Sequence, residues 1–184
     1  MRLKSSLFVS LSLIALAACT SADGSLSSAS LDAPSTLDMR IRVIEELKVA
    51  KRNADIPALL ALYHPEIVLE QPSMGFRSEG LAELKPGLES FARHFPDYNR
   101  ELLGFAETDN TIVSWGPTTV TLTGPFGDAT PNGEISSLMT FVVFEFEEEQ
   151  IIYEGHFWDL ASLARQSGVS AETIFEAAQP GSES

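Results

Sequence analysis

The chain has 184 residues, 26 of them acidic and 12 basic, for a formal net charge of −14. Such a surface repels phosphate backbones and anionic headgroups, which argues against nucleic acid as a partner and against membrane attachment through basic charge. The lone cysteine, Cys19, has no second thiol to pair with, so no internal disulfide is expected.

Arg2 and Lys4 precede an apolar run from Leu7 to Leu16, followed by the small residues Ala17 and Ala18 and then Cys19. A positive start, a short apolar core and a small-residue end are the layout of an export signal, too short to span a bilayer comfortably. The Leu16-Ala17-Ala18-Cys19 ending resembles the lipobox of bacterial lipoproteins. That resemblance implies a signal peptide over residues 1–18, cleavage before Cys19, a diacylglycerol on its sulfur and an acyl chain on the new amine. The protein would then be exported and lipid-anchored to a bacterial membrane. Thr20 stands where an Asp would signal inner-membrane retention, so by analogy the outer membrane, facing the periplasm, is expected. A plain secretory signal with a chance cysteine is the alternative. Removing residues 1–18 leaves 166 residues, enough for one domain with a real core, and ten basic against 26 acidic side chains. A lipidated Cys19 would leave no thiol for nucleophilic or metal chemistry. Residues 19–36, mostly small and polar, read as the lipidated cysteine and a flexible tether.

From Leu37 to Asn53, Met39, Ile41, Val43, Ile44, Leu47 and Ala50 recur largely at helical spacing. Asp55 reads as an N-cap, and Ile56–Tyr63 as a short helix with Pro57 in its first turn, stopped at His64-Pro65. Ile67–Gln71 reads as a strand ended by Pro72 and a Ser73-Met74-Gly75 turn. Gly80–Phe95 carries an apolar stripe of Leu81, Leu84, Leu88, Phe91 and Phe95, with Pro86 suggesting that the helix begins near it. Strands follow over Glu101–Ala106 and Thr111–Trp115, with an Asp109-Asn110 turn between them. Thr118–Thr123 continues the second after a bend at Gly116-Pro117. Beyond the loop 124–133, Glu134–Glu147 and Ile151–Trp158 form a hairpin, and a last helix runs from Asp159 or Leu160 to Gln166, stopping at Gly168. Helices first and a meander after them predict an α+β domain over 37–170, with a helix remnant and frayed tail over 171–184.

This order resembles the nuclear transport factor 2-like superfamily, and particular residues resemble its SnoaL-like polyketide cyclase family. Tyr63-His64-Pro65-Glu66-Ile67-Val68 looks like that family's approach to its first strand, and Phe95-Pro96-Asp97 like the end of its third helix. Thr121-Leu122-Thr123-Gly124 resembles a turn that usually carries histidine where Leu122 stands. The most specific match is Asp159-Leu160-Ala161-Ser162-Leu163-Ala164-Arg165-Gln166-Ser167-Gly168. The resemblance implies a cone: a curved, antiparallel-rich sheet whose central pocket is closed by N-terminal helices. It also implies proton transfer by one or two carboxyl groups in an apolar pocket, without metal or cofactor. Burial suits a carboxyl to that role by raising its pKa toward neutrality.

By the same resemblance Asp159 is the general acid/base, although it is equally suited to N-cap the last helix. His156 would assist as a proton relay or else be an ordinary strand histidine. Alternation places Glu154, His156 and Trp158 on one sheet face and Tyr153, Phe157 and Asp159 on the other. Glu70 or Gln71 would contact a substrate, but as neighbours on a strand they cannot both face inward. Tyr63, Phe76, Tyr98, Trp115, Met139 and Trp158 are the expected aromatic and apolar lining, with core packing as the alternative for each. The three histidines show no metal-ligand spacing and the sequence has no phosphate loop or dinucleotide fingerprint, so, as the resemblance implies, no metal or other cofactor is expected. Two functions remain open: a cofactor-free lyase or isomerase of the aldol-cyclase kind acting on a small, mostly apolar carbonyl or ester compound, or a lipoprotein that binds an apolar ligand or partner without chemistry. Apolar residues on both faces of the long strand, Phe141, Val143, Phe144 and Phe146, leave a homodimer open as well.

Overall fold

A computed structural model describes residues 34–126 and 128–178. The expected signal peptide, Cys19 and nearly all of the tether lie outside the described residues, as do positions 179–184. Helix α1 (Thr36–Arg52) opens with a capping box in which Ser35 and Asp38 satisfy each other's backbone N–H. Asp55 caps α2 (Ile56–Leu62) by accepting from the Ala58 amide. Strand β1 (Tyr63–Gln71) begins directly after α2, earlier than the expected Ile67. Pro65 forces His64 out of the helical region, and extended backbone can continue through it. The register between β1 and its neighbour shifts between Tyr63 and Val68, the stretch where Pro65 has no N–H to donate.

A single 3₁₀ turn (Pro72–Met74) reverses the chain into β2 (Phe76–Glu79), an edge strand with no apolar alternation to betray it in the sequence. Helix α3 (Gly80–His94) begins at Gly80, not near Pro86, which is accommodated inside it. Strands β3 (Asn99–Arg100) and β4 (Gly104–Thr108) both run along β5 (Thr111–Thr121). The bend expected at Gly116-Pro117 is absent from β5, which holds unbroken register with β6 (Ile135–Glu147). The irregularity sits in its other neighbour, between β3 and β4. There the Glu101 carbonyl comes so close that a Cβ on Gly116 would lie 1.9 Å from it, which makes glycine obligatory. Strand β7 (Gln150–Trp158) completes the hairpin with β6 through a bulge near Ile152. Helix α4 (Leu160–Ser167) ends at Gly168 with φ 76°, and α5 (Ala171–Ala177) follows, capped by Ser170.

The strands form one curved, unclosed sheet in the order β2-β1-β7-β6-β5-β3, with β4 also on β5; only β1 and β7 run parallel. Two apolar clusters fill its inner face. One joins α1, α2, β1 and α3 through Ile44, Leu47, Leu59, Ile67 and Leu84 to Ile112, Val142 and Phe144. The other joins Phe95, Val120, Leu122, Leu138 and Trp158 to Leu163 of α4 and Ile174 of α5. Among the described residues no helix is long and apolar enough to cross a membrane.

Candidate functional site

Between the two apolar clusters the inner face turns polar. Along β5 the buried positions read Ile112, Ser114, Gly116, Thr118, Val120; along β6, Leu138, Thr140, Val142; along β7, Ile151, Glu154, His156, Trp158. Tyr98 and Arg100 extend this belt at the β3 edge, and Lys51 reaches it from the last turn of α1. Thr140 donates to Thr118 at 2.8 Å, and Arg100 Nη2 donates to Ser114 at 2.8 Å.

Glu154, fully buried, is the hub. Its Oε1 takes short contacts from Lys51 Nζ and His156 Nε2, and its Oε2 one from the Tyr63 hydroxyl. Lys51 Nζ and His156 Nε2 are 3.1 Å apart because they converge on one oxygen. The Glu154 contact is made if Nε2 carries the proton of a neutral imidazole, which leaves Nδ1 as its basic atom. Burial works to raise the Glu154 carboxyl, but Lys51 and His156 outweigh it and hold it below the usual carboxylate range. Burial, then the Lys51 charge, lowers His156 to about 4, against the pull of Glu154. Burial likewise lowers Lys51 and raises Tyr63, the latter helped by the neighbouring carboxylate.

A cavity of about 610 Å³ opens between α3, the β1–β2 hairpin and α5. Leu84, Leu88, Phe91 and Phe95 of α3, Phe76 of β2 and Ile174 of α5 give it apolar walls. Lys51 is the residue shared by this wall and the buried network. Ser78 also borders the cavity, and its buried hydroxyl has no hydrogen-bond partner among the described residues.

The residues singled out from sequence scatter. Phe76 and Gln71 line the cavity. Tyr63, Tyr98, His156 and Trp158 are buried beside it, with the Tyr98 ring 5.2 Å from Phe91 and the Trp158 ring 5.6 Å from Phe95. Glu70 sits on the other side of β1, accepting from Tyr153 at 3.0 Å and paired with Arg77. Trp115 and Met139 correct the expected lining: alternation places both on the outer face, and Met139 is 50% exposed. Asp159 is exposed and does not border the cavity; its carboxylate accepts from the Ser162 amide at 3.1 Å and the Ser162 hydroxyl at 2.5 Å, which hold it below its usual pKa. An Asp in this position acts as a cap. Asp159→Ala is expected to cost about 0.5–2 kcal/mol and Asp159→Asn far less, because Asn caps as well. Chemical denaturation measures both, and an Asn variant as unstable as the Ala variant would contradict the capping role.

Lys51, Arg100 and Glu154 were not singled out, although Lys51 and Glu154 left a trace. Lys51 follows Ile44 and Leu47 at i+7 and i+4 on the buried stripe of α1, where a charge is out of place. Glu154 shares the inward phase of His156 and Trp158. Arg100 sits in a two-residue strand too short to show any phase.

The outer face carries a cross-strand row of Trp115, Phe141 and Phe157, with Met139 beside it; Phe141 is 47% and Phe157 42% exposed.

The chain matches the SnoaL-like polyketide cyclase family over residues 41–167 and belongs to that family. No curated protein matches it in sequence. A protein assigned to the SnoaL-like polyketide cyclases from Jannaschia sp. CCS1 is 15% identical, with a TM-score of 0.63 over 72% of this chain and 93% of that one. A protein with a ketosteroid isomerase-like fold from Catenulispora acidiphila DSM 44928, in complex with trimethylamine, is 12% identical, with a TM-score of 0.62 over 71% and 95%. An epoxide hydrolase of the LEH-like kind from M. tuberculosis is 15% identical, with a TM-score of 0.56 over 70% and 89%. Identities this low carry the cone fold alone.

Proposed function

We propose that this member of the SnoaL-like family binds a small, mostly apolar molecule in the cavity between α3, β2 and α5, with the ligand's polar group against Lys51 and Ser78. The observation that carries this reading is a cavity of about 610 Å³ whose apolar walls meet one buried cation, the pattern of a site that takes apolar bulk and orients it by few polar contacts. Binding is better supported than proton transfer. The interior carboxylate, Glu154, already serves three donors and is held ionised, so it is poorly placed to take a proton, while Asp159 caps a helix in solvent. A fluorescent apolar probe should bind the full chain saturably, and Ala177→Trp, which fills the α5 side of the cavity, should abolish that binding. Unchanged binding to a folded Ala177→Trp variant would place the ligand elsewhere and overturn the reading.

The Leu-Ala-Ala-Cys ending supports an exported, lipid-anchored protein presenting this cone outside the cytoplasm. Cys19→Ser is expected to release the chain from the membrane fraction or leave it unprocessed, and unchanged partitioning on fractionation would refute the anchor. The outer-face row of half-buried Trp115 with exposed Phe141 and Phe157 supports a homodimer through the outer sheet face, since apolar patches rimmed by polar residues mark interfaces. Sedimentation of the released chain tests it, and a monomer at every concentration would remove the dimer.

A further inference from the structure

The buried charges do not balance. Among the described residues the interior holds two cations, Lys51 and Arg100, one carboxylate, Glu154, and a neutral His156. Both oxygens of Glu154 are taken, Oε1 by Lys51 and His156 and Oε2 by Tyr63. Arg100 is 3% exposed, and its guanidinium hydrogen-bonds the Ser114 hydroxyl through Nη2. Its Nε is buried without a partner, and among the described residues no carboxylate is in contact with it. Glu154 acts on it only at longer range, and Glu45, a further acid that influences it, is bound to Lys48 at the surface. The Arg100 charge is felt across the belt, for it opposes protonation of both Lys51 and His156.

A guanidinium taken out of water without a counter-ion is costly, and the cost is relieved when an anion enters the same low-dielectric interior. The way in is the cavity, which reaches the belt at Lys51 and presents the unpartnered Ser78 hydroxyl beside it. Glu83, Glu89, Arg77 and Arg93 also border the cavity, but all four are exposed, where water and salt screen them. We infer that the ligand is a small amphiphile with a single negative charge, a carboxylate, whose anionic oxygen meets Lys51 and Ser78 and supplies the close counter-charge that Arg100 lacks. This rests on the reading of the cavity as the ligand site. It adds the chemical class: an apolar body with an anionic end, drawn into a protein whose net charge of −14 would otherwise repel it.

Equilibrium binding to the full chain separates the two claims with three probes on one skeleton: 2-naphthoate, 2-acetylnaphthalene and 2-naphthylmethylammonium. The carboxylate should bind about ten-fold or more tighter than the ketone, and the ammonium weakest, as for other desolvated charge pairs. Arg100→Met should bring carboxylate and ketone close to equal, and Arg100→Lys, which keeps the charge, should preserve the preference. Should Arg100→Met not fold, the wild-type ratio and the Arg100→Lys result decide the matter. A wild-type protein that binds the ketone as tightly as the carboxylate overturns the anion and leaves the binding site standing. Binding of none of the three overturns both.

Discussion

Replacing Glu154 by Gln should destabilise the fold by about 3–5 kcal/mol, the usual cost of removing one partner from a buried ion pair. The carboxylate is the only buried acid among the described residues, and it answers Lys51 directly and Arg100 at longer range. Gln keeps the volume and can still accept from Tyr63, so the loss measured is that of charge. Two buried cations would remain without any counter-charge. Lys51→Met should cost distinctly less, because it removes a cation from an interior that has one to spare and leaves Glu154 its bonds from Tyr63 and His156. Urea unfolding of both variants checks the ordering. Equal costs, or a milder Glu154→Gln, would mean that water reaches the belt and that its charges are not paired as described.

The second large effect is on pH dependence and belongs to His156. Its folded-state value is lowered to about 4 from an ordinary 6.5, by burial first and then by Lys51, with Arg100 adding to the effect and Glu154 opposing it. A lowered histidine binds fewer protons folded than unfolded, so its contribution to stability is fully present above about 6.5 and is lost as pH falls toward about 4. The size is on the order of 3 kcal/mol across that window. Glu154, also lowered, acts with the same sign further down: its contribution holds above the ordinary carboxylate value of 4.5 and fades below it. Surface carboxylates blur the absolute curve, since acid also relieves self-repulsion in a chain of net charge −14. The clean measurement is the difference between wild type and His156→Gln in unfolding free energy at pH 7 and pH 4.5. The wild type should lose markedly more than the variant on acidification. Parallel losses would mean that His156 is not buried neutral.

Much of the architecture was legible in the chain. Period-3.6 stripes marked α1 and α3, period-2 alternation marked β6 and β7, and Asp55 and Gly168 marked helix ends. That Glu154, His156 and Trp158 share one sheet face was readable too, because a strand alternates whatever it packs against, but not that this face is the inner one. Elements with no periodicity to read were missed or misplaced: β2 has four residues and β3 two, and the irregularity near Gly116 lies in the neighbouring strand, not its own.

The candidate site was far less legible, and the reason is distance along the chain. Lys51 and Glu154 are 103 positions apart, and Tyr63 and Glu154 are 91, so no local spacing announces that they meet. Asp159 stood out for the opposite reason: its motif is contiguous, and the same contiguity makes it a helix cap whose partner, Ser162, lies three residues on. Trp115 and Met139 show the same limit. Their apolar character was plain, but a strand has two faces, and only the packing of α1, α3 and α5 decides which one is inside. By itself the sequence determined the main helices, the meander and the acidic charge, because each follows from local preference and composition, while its motifs carried the resemblance to the family's plan. The tertiary structure alone decided that one carboxylate, two cations and a neutral histidine share the interior, because that depends on which faces of remote elements are pressed together.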